Sequence, residues 1–222
     1  KQPITNDILQ VKFGFFQKAE DQSNSLLKST LAAVTDIEST IVGVFNSLSW
    51  NRGGLVYVPV KQSSAYNSIT DEKGEAVTSQ RLSTGELVFL ASEVPALGSK
   101  SYFLNKKKSK SQGILAQGNI LDNGILKVVI DPQTGDISSL TSGAHEYVDQ
   151  KASCALNSFR YLHGDDTPDK ATGTKNVKIT IKEDGPLLAT INVASEAEGC
   201  NYLSRDITII KGQSYLEICN EI

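Results

Sequence analysis

The sequence contains no methionine, little tryptophan and little cysteine. Because Met is absent from all 222 residues, the chain does not begin at a translation start, and we interpret it as a piece of a longer protein. No apolar run approaches the roughly 20 residues that a bilayer-crossing helix needs. The net charge of -3 argues against a nucleic-acid-binding surface, which is usually basic. A hydrophobic content of 39% predicts a globular protein rather than a disordered one.

The three cysteines, Cys154, Cys200 and Cys219, are an odd number at wide spacings with no C-x-x-C motif. This pattern does not support a metal site. Cys219 lies among the apolar positions of a predicted strand, so we expect it to be a small buried core residue. Cys154 and Cys200 lie near predicted strand ends, where a disulfide could form, although their spacing does not indicate one.

Residues 16–37 carry a helical pattern. Apolar and small side chains recur at three- and four-residue steps, which predicts one amphipathic helix. The stripe consists of Phe16, Ala19, Ser23, Leu27, Thr30, Val34 and Ile37. Isolated helices are marginal in water, so this stripe needs a partner surface. Residues 1–14, which include Pro3 and Gly14, are predicted to be a connector or an incomplete strand.

Residues 41–105 predict a small antiparallel β region, because strand-like segments alternate there with turn clusters rich in Gly, Asn and Asp. The predicted strands span residues 40–46, 55–60, 86–91 and 101–104. Residues 106–112 contain four lysines and two serines and predict a solvated linker. A basic patch for anions is the alternative, which the net charge of -3 disfavours.

Residues 113–222 predict a second β region, and no helix is expected after residue 38. The predicted strands span residues 114–121, 124–130, 137–140, 155–162, 177–182, 187–195, 203–210 and 215–219. This order of elements predicts an all-β fold, in which an antiparallel β-sandwich follows a small β region and one N-terminal α-helix. Arg205 and Asp206 are interpreted as a strand-surface pair, which is worth ~0.2–1 kcal/mol when exposed.

Residues 118–140, GNILDNGILKVVIDPQTGDISSL, predict a β-hairpin. Asn123 and Gly124 indicate a type I′ turn, whose two central residues both need positive φ. In the next strand, alternation places three apolar side chains on one face. These are Leu126, Val128 and Ile130. The D-P-Q-T-G turn that follows predicts a left-handed conformation for Gly135.

Residues 161–170, YLHGDDTPDK, combine one of only two histidines with three aspartates and an aromatic residue. This composition suits a sugar site or a site for a hard cation, and a plain polar loop is the simplest interpretation. The spacing of His163 and Asp165 offers at most two ligands, whereas a closed metal site needs three or four. The oxygen spacing and terminal Glu of a calcium loop are missing. Three interpretations stay open: a polar loop, sugar contacts and, least favoured, a metal.

Four stretches of the sequence resemble phrases of glycoside hydrolase family 38, the α-mannosidases, in the family's order. The hairpin at residues 118–140 is similar to the opening of the family's C-terminal β domain. VFNSLSWNR at 44–52 resembles the entry into its first β region, and VPALGSKSYFL at 94–104 resembles the end of that region. Residues 183–222 are similar to the strands that follow. The four stretches cover most of residues 41–222, and none of them is catalytic in the family.

The resemblance implies a supersandwich of the galactose-mutarotase-like type that continues beyond Ile222 and is truncated here. It also implies that residues 1–40 hold the last helix of a preceding helical domain. Enzymes of the family bind zinc and use an aspartate nucleophile in a retaining mechanism, on an N-terminal α/β barrel. No stretch of this chain matches the barrel's histidine-aspartate motif. We therefore assign no catalytic residue, metal ligand or cofactor to this segment, and we expect it to be inactive as a hydrolase by itself.

In the resembled family, loops of the β domain line the rim of the sugar site. We expect the 161–169 loop to reach that rim, with Tyr161, His163, Asp165 and Asp166 binding sugar hydroxyls. The implied partners are a mannose-containing glycan and the missing catalytic and helical domains; neither nucleic acid nor membrane is expected. The alternative function is a free-standing carbohydrate-binding β-sandwich without hydrolase activity, and a third is a structural interaction module.

Overall fold

The computed structural model describes residues 2–32, 40–107 and 113–222. In this part of the chain a long helix is followed by antiparallel strands, one short α-helix and one 3-10 turn. No helix within these ranges is both long and apolar enough to span a membrane. The all-β architecture with an N-terminal helix, predicted from the order of elements, is confirmed.

The helices are α1 (Gln2–Ala32), α2 (Val60–Ser63) and the 3-10 turn (Pro168–Lys170). The first seven strands are β1 (Ile41–Phe45), β2 (Arg52–Val58), β3 (Ser68–Thr70), β4 (Ala76–Val77), β5 (Ser79–Arg81), β6 (Leu87–Val94) and β7 (Ser99–Asn105). The strands that follow are β8 (Ala116–Gln117), β9 (Ile120–Asp122), β10 (Leu126–Ile130), β11 (Ile137–Ser142), β12 (His145–Glu146), β13 (Thr174–Asp184), β14 (Leu188–Ala197), β15 (Leu203–Ile210) and β16 (Leu216–Glu221).

Helix α1 begins at Gln2, so the prediction of a connector or strand for residues 1–14 is wrong. Pro3 is compatible with a first helical turn, where its missing N–H has no helical partner. An interior glycine such as Gly14 costs only about 1 kcal/mol relative to alanine. The apolar side chains of α1 are exposed; Phe16, for example, is 75% exposed. The predicted helical residues 33–37 and the linker residues 108–112 lie outside the described ranges.

Two small sheets occupy residues 41–105, in the strand orders β1-β7-β3-β4 and β2-β6-β5. Their facing sides form one core, in which Phe89 and Tyr102 place their ring centroids 4.7 Å apart. Strands β3, β4 and β5 were missed in the sequence because each has only two or three residues. Helix α2 was also missed. It is a single turn that follows Pro59, and its Ser63 is buried.

The larger core lies between two antiparallel sheets, β12-β11-β10-β9-β8 and β13-β14-β15-β16. Residues two apart along each strand point to the same face of a sheet. The buried face of β14 therefore carries Ala189, Ile191 and Val193, and that of β15 carries Ile207 and Ile209. The intervening residues form the outer face of the β13–β16 sheet, where polar side chains predominate.

The 118–140 hairpin forms, but its first turn is not of type I′. Gly124 has a φ of 83°, whereas Asn123 does not have a positive φ. The Asn123 side chain explains the difference. Its Oδ1 accepts hydrogen bonds from the backbone N–H groups of Ile125 (2.9 Å) and Leu126 (2.8 Å). Its Nδ2 donates to the carbonyl of Ile210 at 2.7 Å, so the turn is tied to the opposite sheet.

Two further predictions about strands are wrong. Residues 155–162 form no strand and make only isolated bridges, at Leu156 and Tyr161. Cys219 is exposed rather than buried, because it lies opposite Asp206 on the outer face of the sheet. All three cysteines are free thiols.

Arg205 is not the surface partner of Asp206. Its side chain is 1% exposed and forms an ion pair with Asp136. Asp206 instead forms an ion pair with Lys182 at 2.5 Å. Lys182 lies on β13 and Asp206 on β15, and β14 runs between these two strands in the same sheet. Adjacent residues of a strand point to opposite faces, so Arg205 lies on the core face and Asp206 on the outer face.

The small sheets contact the sandwich through a separate apolar cluster. It consists of Val88, Leu187, Leu188 and Ile210. The buried Gln80 reinforces this contact, because its Oε1 accepts hydrogen bonds from the backbone N–H groups of Leu187 (3.2 Å) and Leu188 (3.0 Å). A Cβ at Gly185 would lie 2.3 Å from Gln80 Cδ, so this approach requires glycine. These contacts fix the position of the two β regions relative to each other.

Candidate functional site

The 161–170 loop is closed at its base by a pair of backbone hydrogen bonds. Tyr161 and Thr172 exchange N–H···O bonds, both of 2.8 Å. Inside the loop, the Asp166 N–H donates to the carbonyl of His163 at 2.8 Å, and a 3-10 turn follows at Pro168–Lys170. The polar sequence of the loop therefore forms an ordered surface projection next to the start of β13.

The ring of Tyr161 lies over a glycine. Gly199 has a φ of +82°, and a Cβ at this position would lie 2.1 Å from Tyr161 Cε2. The same ring meets His163 edge-on, with ring centroids 4.8 Å apart. Gly199 therefore permits the aromatic side chain to settle on the turn between β14 and β15, and Tyr161 in turn orients the imidazole.

His163 binds a carboxylate that is distant in sequence. Its Nε2 lies 2.7 Å from Glu198 Oε1, and the Thr172 hydroxyl donates to Glu198 Oε2 at 2.9 Å. Hydrogen bonding from His163, and then from Thr172, lowers the pKa of Glu198 below its ordinary value. Because a carboxylate only accepts hydrogen bonds, Nε2 carries the proton, and Nδ1 of the neutral ring is an acceptor.

Asp165 and Asp166 have different surroundings. Asp166 Oδ1 forms an ion pair with Lys170 Nζ at 3.2 Å, so this carboxylate serves mainly to brace the loop. Asp165 is exposed, and no hydrogen bond from another described side chain or backbone group reaches its carboxylate. Of the four predicted site residues, the structure brings Tyr161 and His163 into contact. It leaves Asp165 available to a ligand and engages Asp166 within the loop.

Glu198 and Thr172 were missed in the sequence. Each lies outside the polar stretch of residues 161–170, and Glu198 is 35 residues from His163. One local signal is present in the turn after β14, where Glu198 is followed by Gly199. Because glycine has no side chain, another residue can pack closely against its backbone.

A metal ion does not fit this site. His163 and Glu198 supply two donors, fewer than the three protein ligands of a catalytic zinc site. Among the residues that the structure describes, no group of three His, Cys, Asp or Glu side chains could hold a metal ion. The residues of this loop therefore do not form a site for the zinc that the family resemblance implies.

The site formed by the 161–170 loop and Glu198 is open to solvent, since the side chains of His163 and Glu198 are 59% and 44% exposed. The groups that a ligand can reach are the partly buried ring of Tyr161, the imidazole of His163 and the exposed carboxylate of Asp165. Sugar hydroxyls both donate and accept hydrogen bonds, so the set can bind a hydroxyl-bearing ligand.

Comparison with solved structures identifies the architecture. A protein in the glycosyl hydrolase family 38 from Enterococcus faecalis is similar over 92% of this chain, with a TM-score of 0.58 and 15% sequence identity. An alpha-mannosidase from Enterococcus faecalis V583 is similar over 92%, with a TM-score of 0.55 and 15% identity. The chain has the fold of a segment of these proteins. The all-β sandwich expected from the sequence resemblance is thus confirmed.

This chain spans about a third of each of the two similar structures, 34% and 33% of their lengths. No protein-family model matches the sequence, and no curated protein matches it. At 15% identity the likeness concerns the fold and does not transfer any residue role.

Proposed function

We propose that the chain is a non-catalytic β region of an α-mannosidase-like glycoside hydrolase. The single observation that supports this most is the fold likeness, which covers 92% of this chain but 34% of a family 38 protein. A chain that corresponds to a third of an enzyme is most simply one of its regions. Hydrolysis of α-mannosidic bonds would then belong to the parent, by which we mean the proposed longer enzyme, with its zinc and its nucleophile outside these residues.

The chemistry of the 161–170 loop supports a non-catalytic role. A glycosidase uses two carboxyl groups on either side of the scissile bond. Beside the loop, Glu198 is held by His163 and Thr172, and within the loop Asp166 is held by Lys170. Asp165 and Asp169 have no such partner among the described residues, but both are exposed on one surface loop, where nothing holds the two carboxylates on either side of a bound sugar.

The proposed task of the loop is to bind hydroxyls of a mannose-containing glycan at the rim of the parent's active site. Tyr161 offers a ring edge and a hydroxyl, His163 an acceptor nitrogen, and Asp165 a carboxylate. Because Glu198, Thr172 and Gly199 hold the first two side chains in place, little ordering would be needed on binding.

The exposed side chains of α1 support the second part of the proposal, packing within the parent. Phe13, Phe15 and Phe16 are 67%, 65% and 75% exposed. Large contiguous apolar surfaces are rare on free-standing proteins and mark interaction sites. We propose that the helical domain of the parent covers this surface.

Hydrolysis of an aryl α-mannoside tests the proposed function. The 222-residue chain and the full-length parent are assayed side by side with zinc added. We expect turnover by the parent only. Turnover by the chain alone would overturn the proposal and direct the search for catalytic groups to the loop. Absence of turnover by the parent on any α-mannoside would overturn the assignment to this enzyme class.

A further inference from the structure

A cleft of ≈ 390 Å³ lies where the small β region meets the outer face of the β13–β16 sheet. Ligand pockets usually measure roughly 300–1,000 Å³, so the cleft is large enough for a small ligand. Tyr57 and Glu86 contribute from the small β region, and Lys182, Asp206 and Glu217 contribute from the sheet. None of these residues belongs to the 161–170 loop.

The walls of the cleft are fixed by contacts on both sides. Glu183 accepts a hydrogen bond from the backbone N–H of Ser83 at 2.9 Å and a second one from the Ser83 hydroxyl. The hydrogen bonds from Leu187 and Leu188 to Gln80 add to this join. The cleft is therefore formed before any ligand arrives, which lowers the entropic cost of binding.

The floor of the cleft continues into a polar network on β13, β14 and β15. Asp206 accepts from Asn192 Nδ2 at 2.6 Å through Oδ1 and from Lys182 Nζ at 2.5 Å through Oδ2. A carboxylate has about four acceptor positions and an ammonium has three donors. Both ions therefore keep free positions for a ligand, and the network holds them in place.

Tyr57 supplies the apolar side of the cleft. Its register partner is Val88, which packs against the sandwich, so Tyr57 faces the sandwich too. The side chain is 48% exposed. Burial, and then the charges of Glu217 and Glu86, raise the pKa of Tyr57. Its hydroxyl therefore stays protonated at neutral pH and can donate a hydrogen bond.

The charges in the lining limit the ligand class. Four carboxylates, from Glu86, Glu183, Asp206 and Glu217, face one ammonium, from Lys182. This excess of negative charge repels anions such as phosphates and sugar acids. A ring face, fixed acceptors and fixed donors together suit a neutral molecule with several hydroxyls.

We infer that this cleft is a second binding site, for a neutral hexose unit of a glycan. It is separate from the loop site, because the two lie at opposite ends of β14. At roughly 3.3 Å per residue, the step from Thr190 in the cleft to Ala197 beside the loop is about 23 Å. The inference does not depend on the proposed function, since the ligand class follows from the lining of the cleft.

Amide NMR titration of the full 222-residue chain tests the second site. The probes are methyl α-mannoside and methyl α-glucoside, which are neutral, and glucuronate, an anion of similar size. We expect saturable shifts with at least one neutral sugar, at residues around Tyr57, Asp206 and Glu217, and no saturation with glucuronate. Shifts confined to residues 161–172, or equal binding of glucuronate, would overturn the inference. So would the absence of saturation by either neutral sugar at tens of millimolar.

Substitutions separate binding from folding. Tyr57→Ala and Asp206→Ala should each weaken sugar binding roughly tenfold, because each removes a contact in the cleft. Tyr147→Ala is the matched control, since this tyrosine is also exposed but lies beside β12, away from the cleft. Equal affinity in all three variants would contradict the assignment of the cleft.

A thiol reporter covers the case in which a variant does not fold. Cys219 lines the cleft and is exposed, so a bound sugar should slow its alkylation in a chain carrying Cys154→Ser and Cys200→Ser. The sugar that saturates the amide shifts should protect Cys219 over the same concentration range. Unchanged alkylation at saturating sugar would contradict binding in the cleft.

Discussion

The guanidinium of Arg205 binds the carboxylate of Asp136 inside the sandwich. Arg205 Nη1 donates to Asp136 Oδ1 at 2.9 Å, and Nη2 donates to the carbonyl of Thr134, also at 2.9 Å. The arginine comes from β15 and the aspartate from the turn after β10, so the pair joins the two sheets. Arg205 Nε is buried and has no hydrogen-bond partner in the described part of the chain. The hydrogen bonds of Nη1 and Nη2 must therefore compensate for the burial of the whole guanidinium.

Asp136→Asn should destabilise the fold by about 3–5 kcal/mol, because the substitution leaves the buried guanidinium without a counter-charge. Urea unfolding followed by circular dichroism measures the change. Asp166→Asn serves as the control. It breaks the exposed pair with Lys170 and should cost about 0–1 kcal/mol. Equal losses in the two variants would show that the Arg205 pair has no special importance.

Gly135→Ala should destabilise the fold by about 2–5 kcal/mol. Gly135 has a φ of +71°, and a Cβ there would lie 2.2 Å from Arg205 Nη2, so backbone strain adds to overpacking. Gly118→Ala isolates the strain, since Gly118 has a φ of +61° with no atom within 4 Å of the added Cβ. That variant should cost only about 1–2 kcal/mol. Urea midpoints for the two variants would reveal whether the steric contact with Arg205 matters.

Glu198 should make the loop acid-sensitive. Its pKa is lowered in the folded state, chiefly by the hydrogen bond from His163, so ionised Glu198 stabilises the fold. This contribution is complete above the carboxyl pKa of the unfolded chain and is lost as pH falls through the folded pKa. His163→Ala should raise the pKa of Glu198, as followed by carbon NMR of the carboxyl group. A titration curve that does not move would mean that His163 does not stabilise the carboxylate.

In the full-length parent, Asp165→Ala should raise KM for mannosyl substrates or lower kcat, because the free Asp165 carboxylate is proposed to bind a hydroxyl. His163→Ala should act in the same direction. Asp149→Ala is the control, since its exposed carboxylate lies in the turn after β12 and bonds only the Lys151 N–H within the described structure. Steady-state kinetics identical to the unsubstituted parent would exclude the loop from the sugar site.

The isolated chain should self-associate through α1. Burial of its exposed phenylalanines in an interface stabilises the associated state by roughly 25 cal/mol per Å² of apolar surface removed from water. Sedimentation analysis of the 222-residue chain should show concentration-dependent association. The triple variant Phe13→Ser, Phe15→Ser, Phe16→Ser should shift the equilibrium towards monomer. If the unsubstituted 222-residue chain stays monomeric at all concentrations, α1 needs no partner.

Local sequence patterns were sufficient for residues 16–32 of the helix and for most long strands. The alternation of Leu126, Val128 and Ile130 gives the buried face of β10, because period-two apolar spacing has only one way to bury itself in a sheet. Gly135 was correctly expected to be left-handed, because the D-P-Q-T-G turn requires it. The short strands β3, β4 and β5 could not be predicted, since their pairing depends on neighbours distant in sequence.

The sequence by itself determined the all-β class, the leading helix and the concentration of polar chemistry in the 161–170 loop, since each depends on the order or spacing of nearby residues. Only the tertiary structure decided which partners meet. Arg205 reaches Asp136 across 69 residues, and His163 reaches Glu198 across 35. Strand register places Asp206 outside and Arg205 inside. Charge, burial and hydrogen bonding at these sites depend on packing between segments, which no local pattern encodes.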